Sequence, residues 1–214
     1  MTLTHSKNTP WADSATDAPA HDGLTEFGRD IVREMNRIGM QVDLSHVSEA
    51  TMMDALDVAT APVIFSHSGA RGVTAHPRNV PDSVLKRLPE NGGVVMVVAL
   101  PRFINEKVRQ WDARRAGVIA QARVEHLGNP DAAAKAVAAW VAANPEPKSV
   151  IGDVADHIDH IREVAGVEHI GIGGDYDGMP IGPEGMEDVS GYPALFTELA
   201  RRGYSQAELE MIAS

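Results

Sequence analysis

The stretch Met40–Pro81, MQVDLSHVSEATMMDALDVATAPVIFSHSGARGVTAHPRNVP, decides how the rest of the chain is read. Two apolar runs, Met40–Leu44 and Pro62–Phe65, each end in a Ser-His pair, Ser45-His46 and Ser66-His67. Between them, Ser48–Val58 has the length of a helix. It opens with a serine, whose hydroxyl can accept from a free N–H of the first turn. Strand–histidine, helix, strand–histidine is a βαβ unit. In a parallel sheet both histidines leave the carboxyl ends of neighbouring strands, where such folds place their sites. A metal ion is the commonest reason for two imidazoles to converge on one point.

Outward from this stretch the alternation continues. Leu24–Ile38 carries apolar residues at 24, 27, 31, 32, 35 and 38, one face of a helix, with Thr25 as cap and Gly39 as stop. Asp82–Leu88 reads as a short helix, and GGVVMVVAL at Gly93–Leu100 as a strand buried on both faces. Val150–Val164 is an amphipathic helix, and His169–Gly174 (HIGIGG) a further buried strand that runs into Asp175-Tyr176-Asp177-Gly178. Tyr192–Arg202 and Ser205–Ser214 are helices. With Met1–Thr4, which runs directly into His5, five strands are expected: Met1–Thr4, Met40–Leu44, Pro62–Phe65, Val94–Ala99 and His169–Gly173. A parallel α/β sheet with covering helices follows. Asn105–Ser149 breaks the rhythm as a helical insert, Val108–His126 and Ala132–Ala143 parted at Gly128-Asn129-Pro130, suited to a lid or an oligomer surface.

Composition narrows the function classes. A net charge of −11 argues against nucleic-acid and anionic-membrane partners, which call for basic patches. No apolar run approaches the roughly 20 residues that span a bilayer, and MTLTHSKNTPWADS lacks the basic start and apolar core of a signal peptide. With no cysteine there are no disulfides or thiolate ligands, so a metal would sit on His, Asp or Glu. The same absence fits a reducing compartment, and the expected location is cytoplasmic.

Beyond His46 and His67, three residues stand where chemistry would gather. Asp175 follows the last buried strand at the same sheet edge and could ligate metal or move protons for a metal-bound water; the alternative is a brace for a Gly-rich turn. Arg78, in HPRNVPD, follows the second Ser-His strand and suits a carboxylate, being planar and always charged. His5 follows the first strand, Met1–Thr4; the alternative is that Thr4-His5-Ser6 is an ordinary loop. His157-Ile-Asp159 resembles a His-x-Asp metal pair, but with His160 it lies inside a helical run and reads as a helix flank. Trp11, Trp111 and Trp140 are scattered and read as packing.

These residues, taken together, resemble the renal or membrane dipeptidases, the M19 group of zinc-dependent peptidases. The matching segments are LTHSKNTPWADS, GLTEFGRDIVREMNRIGMQVDLSHVSEATM, APVIFSHSGARGVTAHPRNVPD, VADHIDHIREVAGVEHIGIGGDYDG and PEGMEDVSGYPALFTELARRGYSQAEL. They span nearly the whole chain in the order DLSH, FSHS, HPRNVPD, GGDxDG, and the insert looks like the bacterial branch. The resemblance implies a (β/α)8 TIM barrel with two zinc ions at the strand ends and hydrolysis of dipeptides by a metal-activated water. It implies that His46 and His67 ligate one zinc and that Asp175 moves protons. It further implies that His5 contacts substrate and stabilises the oxyanion, and that Arg78 binds the substrate's C-terminal carboxylate.

In that family a His-x-Asp pair on the first strand holds the other zinc and a later glutamate bridges both, and these precede the matching segment. The expectation is therefore one domain, residues 1–214, forming the C-terminal part of a dipeptidase barrel with about five strands and little activity in isolation. Two other readings stay open: a non-catalytic remnant used for binding or assembly, and a barrel amidohydrolase acting on a lactone or cyclic amide. A homodimer is among the assemblies the sequence admits.

Overall fold

In the computed structural model, which describes residues 1–214, five parallel strand rows follow one another in chain order with helices packed against them. Helix α1 (Glu26–Arg37) begins where the Thr25 hydroxyl accepts from the Gly28 N–H at 3.2 Å, and it buries Val32 and Met35. It ends before Gly39, which takes φ +72°, a conformation glycine adopts without the clash a side chain brings. Helix α2 (Glu49–Val58) is capped in the same way by Ser48, which accepts from Thr51 N–H at 3.2 Å. Both caps are those expected from the sequence.

Strand β1 (Ile64–Ser68) is followed by two short helices, α3 (Asp82–Leu85) and α4 (Leu88–Asn91). The single helix expected over 82–88 is thus two pieces, because Pro89 lacks an N–H and sits where a helix starts, in the first turn of α4. Strand β2 (Val94–Val97) pairs with β1, and α5 (Pro101–Ile104) follows it. Helix α6 (Glu106–Glu125) and α7 (Pro130–Ala143) form a helical hairpin; Asn129 caps α7 by accepting from Ala132 N–H, and Pro130 opens it. Trp111 is buried in this hairpin, donates to Asn144 O at 2.8 Å and lies 6.0 Å from the Trp140 ring. Helix α8 (Ile151–Val164), strand β3 (Ile170–Ile172), α9 (Tyr192–Arg201) and α10 (Gln206–Ala213) complete the chain.

The sheet order β1–β2–β3 is parallel, with Phe65 opposite Val95 and Val95 opposite Ile170. The first two expected strands, Met1–Thr4 and Met40–Leu44, are not extended ladders but single parallel bridges, Thr2 to Asp43 and Asp43 to Ile64. Few backbone bonds hold them, among them Leu44 N–H to Ile64 O at 2.8 Å and Ile64 N–H to Val42 O at 2.9 Å. The Asp43 side chain supplies the missing ties, as described below. Two boundaries also differ from the sequence reading. Strand β1 runs through Ser68, so His67 lies within it beside a register irregularity between Phe65 and Ser68. His169 falls in a one-turn helix before β3 and donates from Nδ1 to Gly93 O at 2.8 Å.

One apolar cluster of 36 buried residues fills the space between sheet and helices. Its fully buried members include Phe65, Leu44, Ile158 and Leu199; each such side chain contributes about 1.5–3 kcal/mol relative to exposure. No helix is long and apolar enough to cross a membrane.

Candidate active site

The carboxyl ends of all five strand rows open into one cleft of about 740 Å³. His5, His46, His67, Arg78 and Asp175 all line it. The five residues singled out in the sequence, from four separate strand ends and one loop, are brought together. His157 and Asp159 are not. His157 is fully buried in the middle of α8, and Asp159 pairs instead with Arg202 and Tyr204 at 2.6 Å and 2.8 Å.

Each cleft residue is held by the chain around it. His67 sits at strand β1's register irregularity, a feature that commonly re-aims a side chain at a site, and its ring meets His46 of the preceding row. His46 takes φ +76°, a left-handed conformation that costs a non-glycine residue about 1–2 kcal/mol. The loop before α1 supports it: the His46 carbonyl accepts from Ala15 N–H at 2.7 Å. The neighbouring Ser14 donates its hydroxyl proton to His5 O at 2.7 Å, so the same loop seats His5. The His5 and His46 rings lie 4.3 Å apart. Asp175 takes φ +63° at the turn beyond β3. That turn needs Gly173, where a Cβ would stand 2.0 Å from the Ser66 carbonyl oxygen.

The central contact is between His46 Nε2 and His67 Nε2, 2.8 Å apart. Burial holds the His46 imidazole far below its usual value, at about 3, and the nearby Arg78, His67 and His5 push it the same way. His67 is also lowered, by burial and then by Arg78, with Asp175 and Asp43 opposing. Both rings are therefore neutral at physiological pH, the form that binds metal.

Arg78 is 3% exposed and its Nη1 has no hydrogen-bond partner; its guanidinium lies 5.3 Å from the Phe103 ring centre. Burial lowers it to about 10, with Asp175 and Asp43 pulling the other way, so it remains charged at neutral pH. Three buried side-chain atoms in the molecule have no hydrogen-bond partner: Arg78 Nη1, Trp11 Nε1 and Thr4 Oγ1. All three residues line this cleft. A buried donor left unmade costs about 1–3 kcal/mol, more when charged, so their concentration in one place marks where a ligand completes the structure.

Several contributors escaped the sequence reading. His76 stacks on Phe103 at 4.2 Å and is lowered to about 4 by burial and by Arg102 and Arg78. Asn79 fixes the loop under Arg78, accepting from Gly69 N–H at 2.9 Å and donating to Thr74 O and Phe103 O. Asp43, buried at the second strand row, accepts from the hydroxyls of Thr2 and Ser66 and the backbone N–H groups of Ser45 and Ser66. Burial raises it, but these four bonds together hold its carboxyl below the usual range. A carboxylate inside the apolar run MQVDL was the signal available for Asp43; nothing local marked Asn79.

The membrane dipeptidase family (peptidase family M19) matches the chain over residues 1–214. Among curated proteins, the dipeptidase tcpJ of Claviceps purpurea is 42% identical over 213 residues, which is 99% of this chain and 41% of that protein. Dipeptidase 3 of Rattus norvegicus is 43% identical over 98% of this chain and 36% of its own length. The chain thus spans about two-fifths of the curated relatives it matches. A metallo peptidase of Rhodobacter sphaeroides, solved with a phosphinate mimic of the dipeptide L-Ala-D-Ala, superposes with a TM-score of 0.74 at 27% identity, over 99% of this chain and 52% of that one. A probable dipeptidase from Pseudomonas aeruginosa superposes at 0.80 with 24% identity, over 99% of this chain and 58% of that one, and shares the fold. The five strand rows are accordingly part of a dipeptidase-type (β/α)8 barrel, and the chain belongs to the membrane dipeptidase family.

Proposed function

We propose that this cleft is the substrate and metal site of a zinc-dependent dipeptidase, and that the orphaned N–H of buried Arg78 beside the paired imidazoles is the observation that carries it. A dipeptide presents a free carboxylate at a fixed distance from its one peptide bond. A desolvated guanidinium can take that carboxylate in two parallel bonds, which fixes where the carbonyl sits.

His46 and His67 would hold the metal through the two Nε2 atoms that already face each other. A zinc ion there supplies Lewis acidity and lowers the pKa of a bound water. The remaining steps belong to the side chains. Asp175 takes a proton from the attacking water and delivers one to the leaving amine as the C–N bond breaks. His5, beside His46, donates to the carbonyl oxygen as it gains charge. Arg78 holds the carboxylate throughout.

The donor set bounds the activity of these 214 residues. No group of three or more His, Asp or Glu side chains converges on one point, whereas catalytic zinc takes three protein ligands. The chain would hold zinc through two imidazoles, weakly, and hydrolyse dipeptides slowly. The discriminating experiment pairs zinc titration with a dipeptide and lactone panel. Weak binding of one zinc, lost in His67→Ala, with trace dipeptide hydrolysis supports the proposal. No zinc binding at all favours a non-catalytic binding module, lactone turnover alone favours a different amidohydrolase, and dipeptide turnover of roughly 1–10³ s⁻¹ would overturn the two-ligand account.

A further inference from the structure

The carboxylate that ties the first three strand rows also reaches the imidazole pair through one hydroxyl. Asp43 Oδ2 accepts from Ser66 Oγ at 2.7 Å, and Ser66 Oγ lies 2.9 Å from His67 Nδ1. A serine hydroxyl has one proton. Asp43 is an ionised carboxylate surrounded by donors only: Thr2 Oγ1 at 2.7 Å, Ser45 N–H at 3.0 Å and Ser66 N–H at 3.1 Å. The Ser66 proton therefore lies toward Asp43, and the bond to His67 can form only if Nδ1 carries a hydrogen and donates it. That leaves the lone pair of His67 on Nε2, the atom that faces His46. The backbone is fixed as well, since His67 N–H donates to Ser45 Oγ at 3.0 Å.

We propose that Asp43 and Ser66 form a positioning relay that presets His67 as a lone-pair donor at Nε2, and that His46 is the ligand whose tautomer changes on metal binding. No hydrogen bond fixes His46 Nδ1, and its Nε2 stands 2.8 Å from a nitrogen that can only accept. Without metal, His46 Nε2 carries the hydrogen and donates it to His67. When both nitrogens turn their lone pairs on one cation, the His46 hydrogen moves to Nδ1. Outer partners of this kind orient ligands and typically change affinity by about 10–100-fold when removed. The inference rests on the metal-site reading above for its second half and on hydrogen-bond geometry alone for its first.

Long-range ¹⁵N–¹H correlation spectra of the labelled, metal-free 214-residue chain at neutral pH separate the two halves. The expected result is a Nδ1–H pattern for His67 and a Nε2–H pattern for His46, with His46 moving to Nδ1–H on zinc addition. Asp43→Asn places a donor where an acceptor stood, frees the Ser66 proton and should switch His67 to Nε2–H, with zinc affinity down about 10–100-fold. Because Asp43 also ties strands, Ser66→Ala is the second variant: His67 should lose its single tautomer, and Ser66→Thr, which keeps the hydroxyl, should restore it. A Nε2–H pattern for His67 in the unaltered chain, or a Nδ1–H pattern that survives Ser66→Ala, overturns the relay. So does zinc affinity that stays constant while the tautomer moves. If the tautomers are as expected but no zinc binds, the relay stands and the metal-site reading fails.

Discussion

Two histidines in this molecule, half-buried His67 and fully buried His157, are both held below their usual pKa by desolvation, yet they are set in opposite ways. His157 has partners for both ring nitrogens. Its Nδ1 accepts from Ala70 N–H at 2.7 Å, and its Nε2 donates to Ile104 O at 3.2 Å. It joins α8 to the loop after β1 and to the end of α5, and it is 0% exposed. His67 has one nitrogen anchored and the other turned onto another imidazole in an open cleft. Two partners that are both backbone groups of the fold describe a structural joint; an anchored ring whose other nitrogen meets only a second imidazole in an open cleft describes a group prepared for a ligand. Low pKa alone does not separate them, because burial lowers both.

The largest test of this contrast is His157→Ala. It deletes a buried ring, leaves Ala70 N–H without a partner and should cost about 3–5 kcal/mol of folding stability, read as a drop in the urea midpoint at unchanged slope. A loss below about 1 kcal/mol would show that the joint is dispensable.

Close behind comes acid. His157 is lowered to about 4 from an ordinary 6.5, so the unfolded chain takes up its proton first as pH falls. Its contribution is whole above about 6.5, declines between about 6.5 and 4 and is gone below, roughly 3 kcal/mol in all. His46 and His76 act in the same direction, so the quantity to measure is the difference between the pH–stability curves of the unaltered chain and His157→Ala. Parallel curves would contradict it.

His67→Ala should do the reverse of His157→Ala. Stability should change by only about 1 kcal/mol, whereas zinc affinity should fall at least about 100-fold, abolishing the zinc-dependent rise in Tm that linkage requires. An equal Tm rise in both proteins would remove His67 from the metal site.

The smallest expected shift belongs to Arg78→Met. Replacing a desolvated charge that carries an orphaned N–H with an apolar chain should leave stability unchanged or raise it by about 1 kcal/mol. Binding of a dipeptide phosphinate, followed by calorimetry, should weaken by at least about tenfold. Marked destabilisation would show that Arg78 is structural and sharpen the contrast against it.

The strand-and-helix rhythm and the gathering of His5, His46, His67, Arg78 and Asp175 were legible in the sequence, because both follow from local rules. Caps at Thr25 and Ser48 announce helices, and a parallel sheet delivers every strand end to one edge whatever its exact register. What local rules could not reach were long-range hydrogen bonds. His157 read as a helix flank because its own segment is amphipathic; its partners, Ala70 and Ile104, lie 87 and 53 residues away. Asp43 was invisible as a hub for the same reason, since two of its four donors come from Ser66, 23 residues on, and one from Thr2.

The sequence by itself therefore determined which residues meet. Apolar runs ending in Ser-His, spaced by one capped helix, permit few arrangements once parallel strands are paired. Only the tertiary structure decided which nitrogen each histidine presents and which buried groups lack a partner. Those properties depend on where single protons sit, and a proton's place is set by neighbours from other strands, to which no periodicity in the chain gives access.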